Sequence, residues 1–295
     1  MKNTKWISAH IYYTELDVII QEALTALTDD KEFLSVAKNY FFIRYWERGP
    51  HIRLRVLVNE VDYSKVILII ENHFSRFFKE VPSLNYHVNP DFFPNNSIQY
   101  IDYLPEIKRY GGGEGIIIAE EHFYNCSEFI LRLLKYRLDI EKSMSLDNKL
   151  ILAVRGNLMI IRSMELSKDV ENEFILRLSN NIFWKKKLEE FVPKDQLTNR
   201  LDTEYEKNSE QLKNLYCFVV ETELDELDKI YFDFYKHLEN TKIKIDKNIL
   251  NITHVSTQDL YASYLHMFNN RIGLRNHEEY YLYYMIKKTF NELFV

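Results

Sequence analysis

An alternating basic run, His51-Ile-Arg-Leu-Arg55, is the first feature of this sequence that could do chemistry. Successive side chains of a strand point to opposite faces, so His51, Arg53 and Arg55 would share one face. If the preceding segment folds back as a hairpin, Arg44 would lie opposite Arg53. Like charges paired across strands repel each other, and the planar guanidinium suits a carboxylate. The pattern predicts an anion site; the alternative is a solvated polar face with acidic neighbours.

A second feature is the segment from Pro105 to Gly115, which holds four of the seven glycines of the chain. Pro at a first helical position and Gly just past the end frame one short turn, on which Glu106 and Arg109 would share a face. A glycine backbone can also approach a ligand closely. The segment lacks the spacing and the Lys-Ser/Thr ending of a phosphate loop. The alternative is a local ion pair followed by a flexible connection.

The third feature is the run from His266 to Gly273 near the end of a predicted helix. His266 and Asn270, four residues apart, would lie on the same helix face. An imidazole can transfer protons near neutral pH. The alternative is a partly buried, hydrogen-bonded histidine. The other histidines show no ligand-like spacing and there is no HExxH motif, so no metal site is predicted.

Two parts of the chain must position these residues. In the first 115 residues, β-formers and helical spacing predict strands and helices in the order β-α-β-β-α-β, a ferredoxin-like arrangement. The first three strands are predicted at Trp6–Tyr13, Phe41–Trp46 and His51–Val58, and the helices at Leu16–Leu27 and Ser64–Lys79. After the second helix, two further strand segments, Leu84–Val88 and Ile98–Tyr103, lie around a Pro/Asn-rich loop.

Beyond Gly115 the apolar spacing is helical throughout. The predicted helices are Ile116–Tyr136, Leu146–Ser163, Asn172–Phe191, Glu204–Glu239, Thr257–Arg271 and Glu278–Leu293. The expected fold class is therefore α+β. A ferredoxin-like βαββαβ part, residues 1–115, carries the Arg motifs and packs as one compact unit with an all-helical part, residues 116–295, which carries the His motif.

Composition excludes several classes of protein. A hydrophobic content of 46% in 295 residues supports a sizeable core, and the net charge of −6 argues against a general nucleic-acid binder. Two cysteines are too few for a disulfide framework. The N-terminus lacks the apolar region of a signal peptide, and the longest apolar stretches are too short to cross a membrane. We therefore expect a soluble, cytoplasmic protein.

Taken together, the motifs resemble those of a known family. The run from Phe42 to Arg55 resembles the opening motif of the thiopeptide-type bacteriocin biosynthesis domain, which also forms the C-terminal elimination part of class I lanthipeptide dehydratases. Residues 105–112 match its second motif, and the segment from Ala119 to Ser127 matches the sequence just downstream. His266-Met267, with Asn270-Arg271, matches its C-terminal motif.

The resemblance implies a lyase that eliminates glutamate from glutamylated Ser or Thr and leaves dehydroalanine or dehydrobutyrine. The positions that match the family's elimination residues are Arg53, Arg55, Glu106, Arg109 and His266. The neighbouring motif positions that would contact substrate are Arg44, His51, Asn270 and Arg271. No metal, nucleotide or organic cofactor is implied.

The implied partners are a ribosomally made, glutamylated precursor peptide and a separate tRNA-Glu-dependent dehydratase that adds glutamate. A homodimer is also suggested, with no direct nucleic-acid or membrane contact. A related protein of the same fold instead performs a formal [4+2] cycloaddition that builds a pyridine ring. Retention of the five elimination residues favours elimination. The further alternatives are a non-catalytic peptide-binding scaffold of the biosynthetic complex and an unrelated acidic binding module.

Overall fold

The structure is a computed structural model and describes residues 3–84, 89–140, 146–180, 190, 193–217 and 226–295. Its secondary structure is mixed helix and sheet. Internal contacts divide the chain into two compact units. The first comprises Met1–Ile107 and Gly113–Ser143, and the second comprises Lys108–Gly112 and Met144–Val295.

The first unit is built on a four-stranded antiparallel sheet in the order β2-β3-β1-β4. Its strands are β1 (Thr4–Tyr12), β2 (Ala37–Tyr45), β3 (His51–Asn59) and β4 (Ser97–Tyr100). One face forms the core, with fully buried Ile7, Ala9 and Ile11 on β1 and Ile52, Leu54 and Val56 on β3. Of the predicted strand Leu84–Val88, residues 85–88 lie outside the described residues.

Three helical segments accompany these strands. Helix α1 covers residues 16–29, with π-helical Ile19–Leu24 between Leu16–Val18 and Thr25–Asp29. It is followed by α2 (Lys31–Val36) and, after β3, by α3 (Tyr63–Glu80). Helix α3 buries a stripe at three- and four-residue spacing, which is the period that places residues on one helix face. The stripe consists of Val66, Ile70, Phe74 and Phe77.

Helix α4 (Gly113–Ile140) packs along β2, which lies at one edge of the sheet. The ring centroids of Phe123 and Phe41 are 5.4 Å apart, and Ser127 Oγ accepts a hydrogen bond from the backbone N–H of Phe42 at 3.2 Å. A helix that covers an edge strand protects its backbone from pairing with another chain. These contacts assign α4 to the first unit, whereas the predicted division at residue 115 assigned it to the helical part.

In the second unit the structure describes six helices. They are α5 (Leu146–Arg162), α6 (Lys168–Ser179), α7 (Lys194–Cys217), α8 (Glu226–Lys247), α9 (Thr257–Ile272) and α10 (Asn276–Phe294). The predicted helix Glu204–Glu239 extends over parts of α7 and α8, and residues 218–225 between them lie outside the described residues. Among the described helices, none combines the length and the apolar character needed to span a bilayer.

Helix α9 is fixed by close packing and by buried amides. A Cβ on Gly156 of α5 would lie 2.2 Å from Phe268 Cζ, so the two helices approach closely only because this residue is glycine. Asn157 Nδ2 donates to Asn269 Oδ1 at 2.6 Å, and Asn269 Nδ2 donates to the Tyr283 hydroxyl of α10 at 3.1 Å. Buried and bonded polar groups of this kind specify one arrangement of helices. The side chains of α9 therefore have defined positions.

Candidate active site

The predicted alternation along β3 is present in the sheet. Ile52 and Leu54 are completely buried on the core face, while His51, Arg53 and Arg55 lie on the opposite face. His51 and Arg55 are buried as well, and 18% of the Arg53 side chain is exposed. The opposite face is therefore a basic surface on a rigid strand, with one guanidinium partly open to solvent.

The pairing of β3 with β2 differs by one residue from the predicted hairpin. The predicted apposition of Arg44 with Arg53 is wrong, because the loop between the strands has five residues instead of four. A shift of one residue moves each side chain to the other face of a sheet. The pairs that form are Ile43–Arg53, Arg44–Ile52 and Tyr45–His51.

Arg44 consequently lies on the core face, away from Arg53 and Arg55. Its side chain is 6% exposed, and Nη1 is 2.6 Å from Asp17 Oδ1. The Asp17 side chain is 45% exposed, so the ion pair joins a buried guanidinium to a carboxylate at the surface. Arg44 is thus held on the core face by an ion pair, and its expected contact with substrate stays a prediction.

Arg53 is held by three neighbours. Its Cζ lies 3.4 Å from the centroid of the Tyr45 ring, and Nη2 is 3.1 Å from Glu47 Oε2. Its Nε–H donates to His51 Nε2 at 3.2 Å. His51 Nδ1 lies 2.8 Å from the Gly49 carbonyl oxygen, which requires the ring proton on Nδ1 and leaves the Nε2 lone pair to accept. His51, which we expected to contact substrate, thus orients Arg53 as a neutral imidazole.

The two histidines of this face are both neutral at physiological pH. The His10 and His51 rings stack with centroids 5.1 Å apart. Burial lowers the pKa of His10 to about 3 and that of His51 to about 4, with the charges of Arg53 and Arg55 acting in the same direction. The positive charge of this face therefore comes from guanidinium groups, which keep it at any physiological pH.

A carboxyl group lies behind Arg55. The Arg55 Cζ is 5.4 Å from the centroid of the Tyr103 ring, and Tyr103 forms a hydrogen bond with Glu120 of α4. Burial raises the pKa of Glu120, while the hydrogen bond from Tyr103 opposes that rise. Glu120 belongs to the segment that resembles the family motif downstream of the glycine run, and no partner for it was evident from the spacing of residues.

The second unit contains an open cavity of about 510 Å³. It brings together two of the predicted site residues, Arg109 and His266, which are far apart in the sequence. Its charged groups are mainly basic, so the cavity suits an anionic ligand. The lining residues are Lys108, Arg109, His254, Val255, Asp259, Ala262, Ser263 and His266.

Arg109 is anchored to α9. Its Nε–H donates to Ser263 Oγ at 2.8 Å, and the Ser263 hydroxyl in turn donates to the Tyr110 hydroxyl at 3.1 Å. Tyr110 is buried and stacks on Tyr264, with ring centroids 6.1 Å apart. The guanidinium of an otherwise exposed arginine is thereby directed along the wall of the cavity.

The turn that carries Arg109 requires a glycine two residues later, at position 111. Gly111 has φ +81°, and a Cβ at this position would lie 2.5 Å from Ile252 Cγ2 and 2.8 Å from Val255 Cγ1. Its carbonyl oxygen accepts a hydrogen bond from the Thr253 N–H at 2.8 Å. The glycine run thus fixes the turn against the loop before α9, which is the close backbone approach that glycine permits.

His266 is paired with a carboxylate. Its Nδ1 lies 3.0 and 3.1 Å from the two side-chain oxygens of Glu279, which is buried on α10. The His266 side chain is 42% exposed and lines the cavity. The Nδ1–H donates to the carboxylate, which leaves Nε2 as the ring nitrogen for exchange with a ligand. Sequence reasoning missed Glu279, because nothing in the spacing links it to His266.

The remaining predicted residues have other environments. Glu106 is exposed on the segment before the turn, and Asn270 is half-buried one turn beyond His266. Arg271 is completely buried and its Nη1 donates to the Met267 carbonyl oxygen at 2.9 Å. Arg271 is therefore held inside the second unit by a bond to its own helix, and its expected contact with substrate stays a prediction.

Comparisons with known proteins agree with this architecture. The lantibiotic biosynthesis dehydratase C-terminal family matches residues 6–290. The epidermin biosynthesis protein EpiB of Staphylococcus epidermidis is 23% identical over 98% of this chain and 26% of its own length. The nisin biosynthesis protein NisB of Lactococcus lactis subsp. lactis is 24% identical over 85% of this chain and 22% of its own length. The chain thus spans about a quarter of the length of these curated relatives.

Two solved structures share the fold. The pyridine synthase TbtD from thiomuracin biosynthesis superimposes with a TM-score of 0.73 at 14% identity, covering 98% of each chain. The tRNA dependent lantibiotic dehydratase MibB from Microbispora sp. 107891 superimposes with a TM-score of 0.68 at 14% identity, covering 98% of this chain and 28% of that one. With the family match over residues 6–290, the chain belongs to the lantibiotic biosynthesis dehydratase C-terminal family.

Proposed function

We propose that this protein catalyses β-elimination of glutamate from glutamylated Ser or Thr residues of a ribosomally made precursor peptide. The product is dehydroalanine or dehydrobutyrine. Family membership and the two curated relatives from lantibiotic biosynthesis support a role in peptide dehydration. A separate tRNA-Glu-dependent enzyme would supply the glutamyl group.

The antiparallel order β2-β3-β1-β4, with helices before β2 and before β4, also supports interpreting the first unit as ferredoxin-like.

One observation carries the proposal. In the second unit, an arginine and an imidazole line the same cavity, and the imidazole is bonded to a buried carboxylate. An elimination needs a base for a weakly acidic C–H and positive charge for the group that leaves. Arg109 and His266 provide these two functions, and the pairing with Glu279 orients the imidazole.

The reaction breaks the Cα–H and Cβ–O bonds of the modified residue and forms the Cα=Cβ double bond. The proton passes to a base, and glutamate leaves as a carboxylate, which is a far better leaving group than hydroxide. We assign the proton to His266 Nε2. The Glu279 carboxylate accepts the Nδ1–H and stabilises the imidazolium that forms, as an acidic partner does for a catalytic histidine.

The arginines provide the charge. The guanidinium groups of Arg53 and Arg55 hold a carboxylate of the glutamyl group, for which the planar fork is suited. Arg109 stabilises the departing carboxylate, and its fixed bond to Ser263 means that little reorganisation is needed during the reaction. Glu106 contacts the glutamyl amine or orients Arg109. The chemistry needs only these side chains.

The test uses the full chain with a glutamylated precursor peptide and mass spectrometry of the peptide. The wild-type protein should release glutamate and shift the peptide to the dehydrated mass. In Arg53→Ala and His266→Ala the glutamylated peptide should accumulate, with rates reduced at least about 100-fold. Arg76→Ala, at an exposed position on α3, is the matched control. Normal dehydration by both site variants would contradict the assignment.

A second candidate is pyridine formation by cycloaddition. It is favoured by the TM-score of 0.73 to the pyridine synthase and by the 98% coverage of both chains. This function predicts that a peptide already bearing two dehydroalanines is consumed, with formation of a six-membered nitrogen ring. Elimination predicts that such a peptide is returned unchanged while its glutamylated precursor is dehydrated. The two peptides, supplied separately, therefore distinguish the functions.

A further inference from the structure

The strand next to β3 places two further polar side chains on the basic face. In the register of β1 with β3, Ser8 pairs with Arg55 and His10 pairs with Arg53. Side chains of directly opposed residues in an antiparallel pair lie on the same face and within contact distance. Ser8 and His10 are 6% and 4% exposed, so both are buried beside the guanidinium groups.

Both side chains have a polar atom without a partner. Within the part of the chain that the structure describes, neither Ser8 Oγ nor His10 Nε2 forms a hydrogen bond. Most buried polar atoms in proteins are bonded, because an unmet donor or acceptor loses its hydration without replacement. Two such atoms, on positions of one strand that share a face, indicate a place that a ligand group fills.

The surroundings select the ligand. Two guanidinium groups repel a cation and attract an anion. A hydroxyl and a neutral imidazole can each donate one hydrogen bond, and a carboxylate accepts up to four. Aromatic rings adjoin the site: Tyr12 stacks on His51 with centroids 4.5 Å apart, and Phe93 lies 5.1 Å from Tyr12. Aromatic rings beside the basic face suit a ligand that carries a carboxylate on a short aliphatic chain.

We infer that Ser8 and His10 complete, with Arg53 and Arg55, a subsite for a carboxylate on a short aliphatic chain. Under the proposed function, the bound carboxylate is the free carboxylate of the glutamyl group. Only the identity of the ligand rests on the proposed function. Ser8 and His10 donate to the oxygens that the two guanidinium groups attract. Neither residue belongs to the motifs that the sequence singled out.

The test measures binding of glutarate to the full chain by isothermal titration calorimetry. His10→Phe keeps a ring that can stack on His51 and removes both nitrogens, and Ser8→Ala removes only the hydroxyl. Each should weaken glutarate binding about tenfold or more, the expected loss of a hydrogen bond to a charged group. His10→Gln, which restores a donor, should bind within about threefold of wild type. His73→Phe, at a histidine of α3 bonded to the Ala23 carbonyl oxygen, should bind like wild type.

Several outcomes overturn the inference. One is a wild-type protein that does not bind glutarate, and another is wild-type affinity in Ser8→Ala and His10→Phe when Arg53→Ala loses binding. Competition by sulfate as strong as that by glutarate overturns the assignment of a carboxylate. Circular dichroism shows whether His10→Phe folds. If it does not fold, the glutarate affinities of Ser8→Ala and His10→Gln decide whether the subsite exists. Glutarate binding that depends on Ser8 and His10, in a protein that releases no glutamate from glutamylated peptide, supports the subsite and contradicts the proposed function.

Discussion

The basic face of the sheet and the cavity of the helical unit hold their functional groups in opposite ways. Arg53 stands on a regular strand, stacked on Tyr45 and bonded to a buried histidine that carries no charge. His266 lies at the surface of a cavity, nearly half exposed and bonded to the Glu279 carboxylate. The first arrangement keeps a constant charge and exchanges no proton. The second leaves the ring nitrogen Nε2 without a bond to Glu279. Under the proposed function, the sheet face binds a carboxylate and the cavity transfers the proton.

The largest expected effect comes from the cavity. Glu279→Gln keeps the shape of the side chain and removes the negative charge that stabilises the protonated imidazole. We expect kcat to fall between about 10- and 100-fold, the worth of one charge-assisted hydrogen bond, while KM stays near wild type. The measurement is steady-state release of glutamate as a function of pH, since a change in the pH profile of kcat reports on His266.

Two variants sharpen this result. Glu279→Asp, which keeps the charge, should recover part of kcat. Glu292→Gln, on the same helix but paired with Lys213, should leave both constants unchanged. If Glu279→Gln raised KM and left kcat intact, the cavity would bind substrate as the sheet face does, and the contrast between the regions would be lost.

A smaller effect is expected on the sheet face. Arg53→Lys keeps the charge and loses the planar fork that holds a carboxylate with two hydrogen bonds. KM should rise about tenfold with little change in kcat, the pattern of an interaction made equally in the ground and transition states. Arg76→Lys, at an exposed position on α3, is the matched control. A fall in kcat at constant KM would show that Arg53 acts on the transition state.

The smallest effect concerns stability at acidic pH. The pKa values of His10 and His51 in the folded protein, about 3 and about 4, lie below the unfolded value near 6.5. Below pH 6.5 the unfolded chain binds more protons than the folded one, so these residues lower the free energy of unfolding as the pH falls towards 4. They contribute their full stability only above pH 6.5.

Thermal unfolding at pH 7.5 and pH 5.0 checks this effect. The drop in Tm should be smaller in His10→Phe than in wild type by about 4 °C, because one of the two buried imidazoles no longer titrates. His277→Gln changes an exposed histidine and should keep the whole drop. An equal drop in His10→Phe and wild type would mean that His10 is not held neutral, and the sheet face would then exchange protons as the cavity does.

Strand alternation was sufficient to predict the basic face. The run from His51 to Arg55 places its apolar residues in the core because a period of two is set by backbone geometry alone. The position of Arg44 was not predictable in the same way. It depends on whether the hairpin loop holds four or five residues, and one residue of difference reverses the face.

The partners that site residues find on other helices and strands could not be predicted from the sequence. Glu279 meets His266 only because α10 packs against α9, and Ser263 meets Arg109 only because the turn lies on that helix. From the sequence, His10 was only one residue of a β-forming strand, since its burial depends on what pairs with it. The motif resemblance identified side chains that could take part in chemistry. Tertiary packing decided which of these side chains have partners that orient them.

The three adjacent glycines at the turn look equivalent in the sequence but tolerate change very differently. Gly111 combines a positive φ with two side chains closer than any Cβ allows, whereas a methyl group added at Gly113 would meet no atom within 4 Å and the φ there is ordinary. A random library covering these codons should therefore retain alanine at 113 and discard it at 111. Two glycines that are two positions apart would therefore differ in how many substitutions each accepts during evolution.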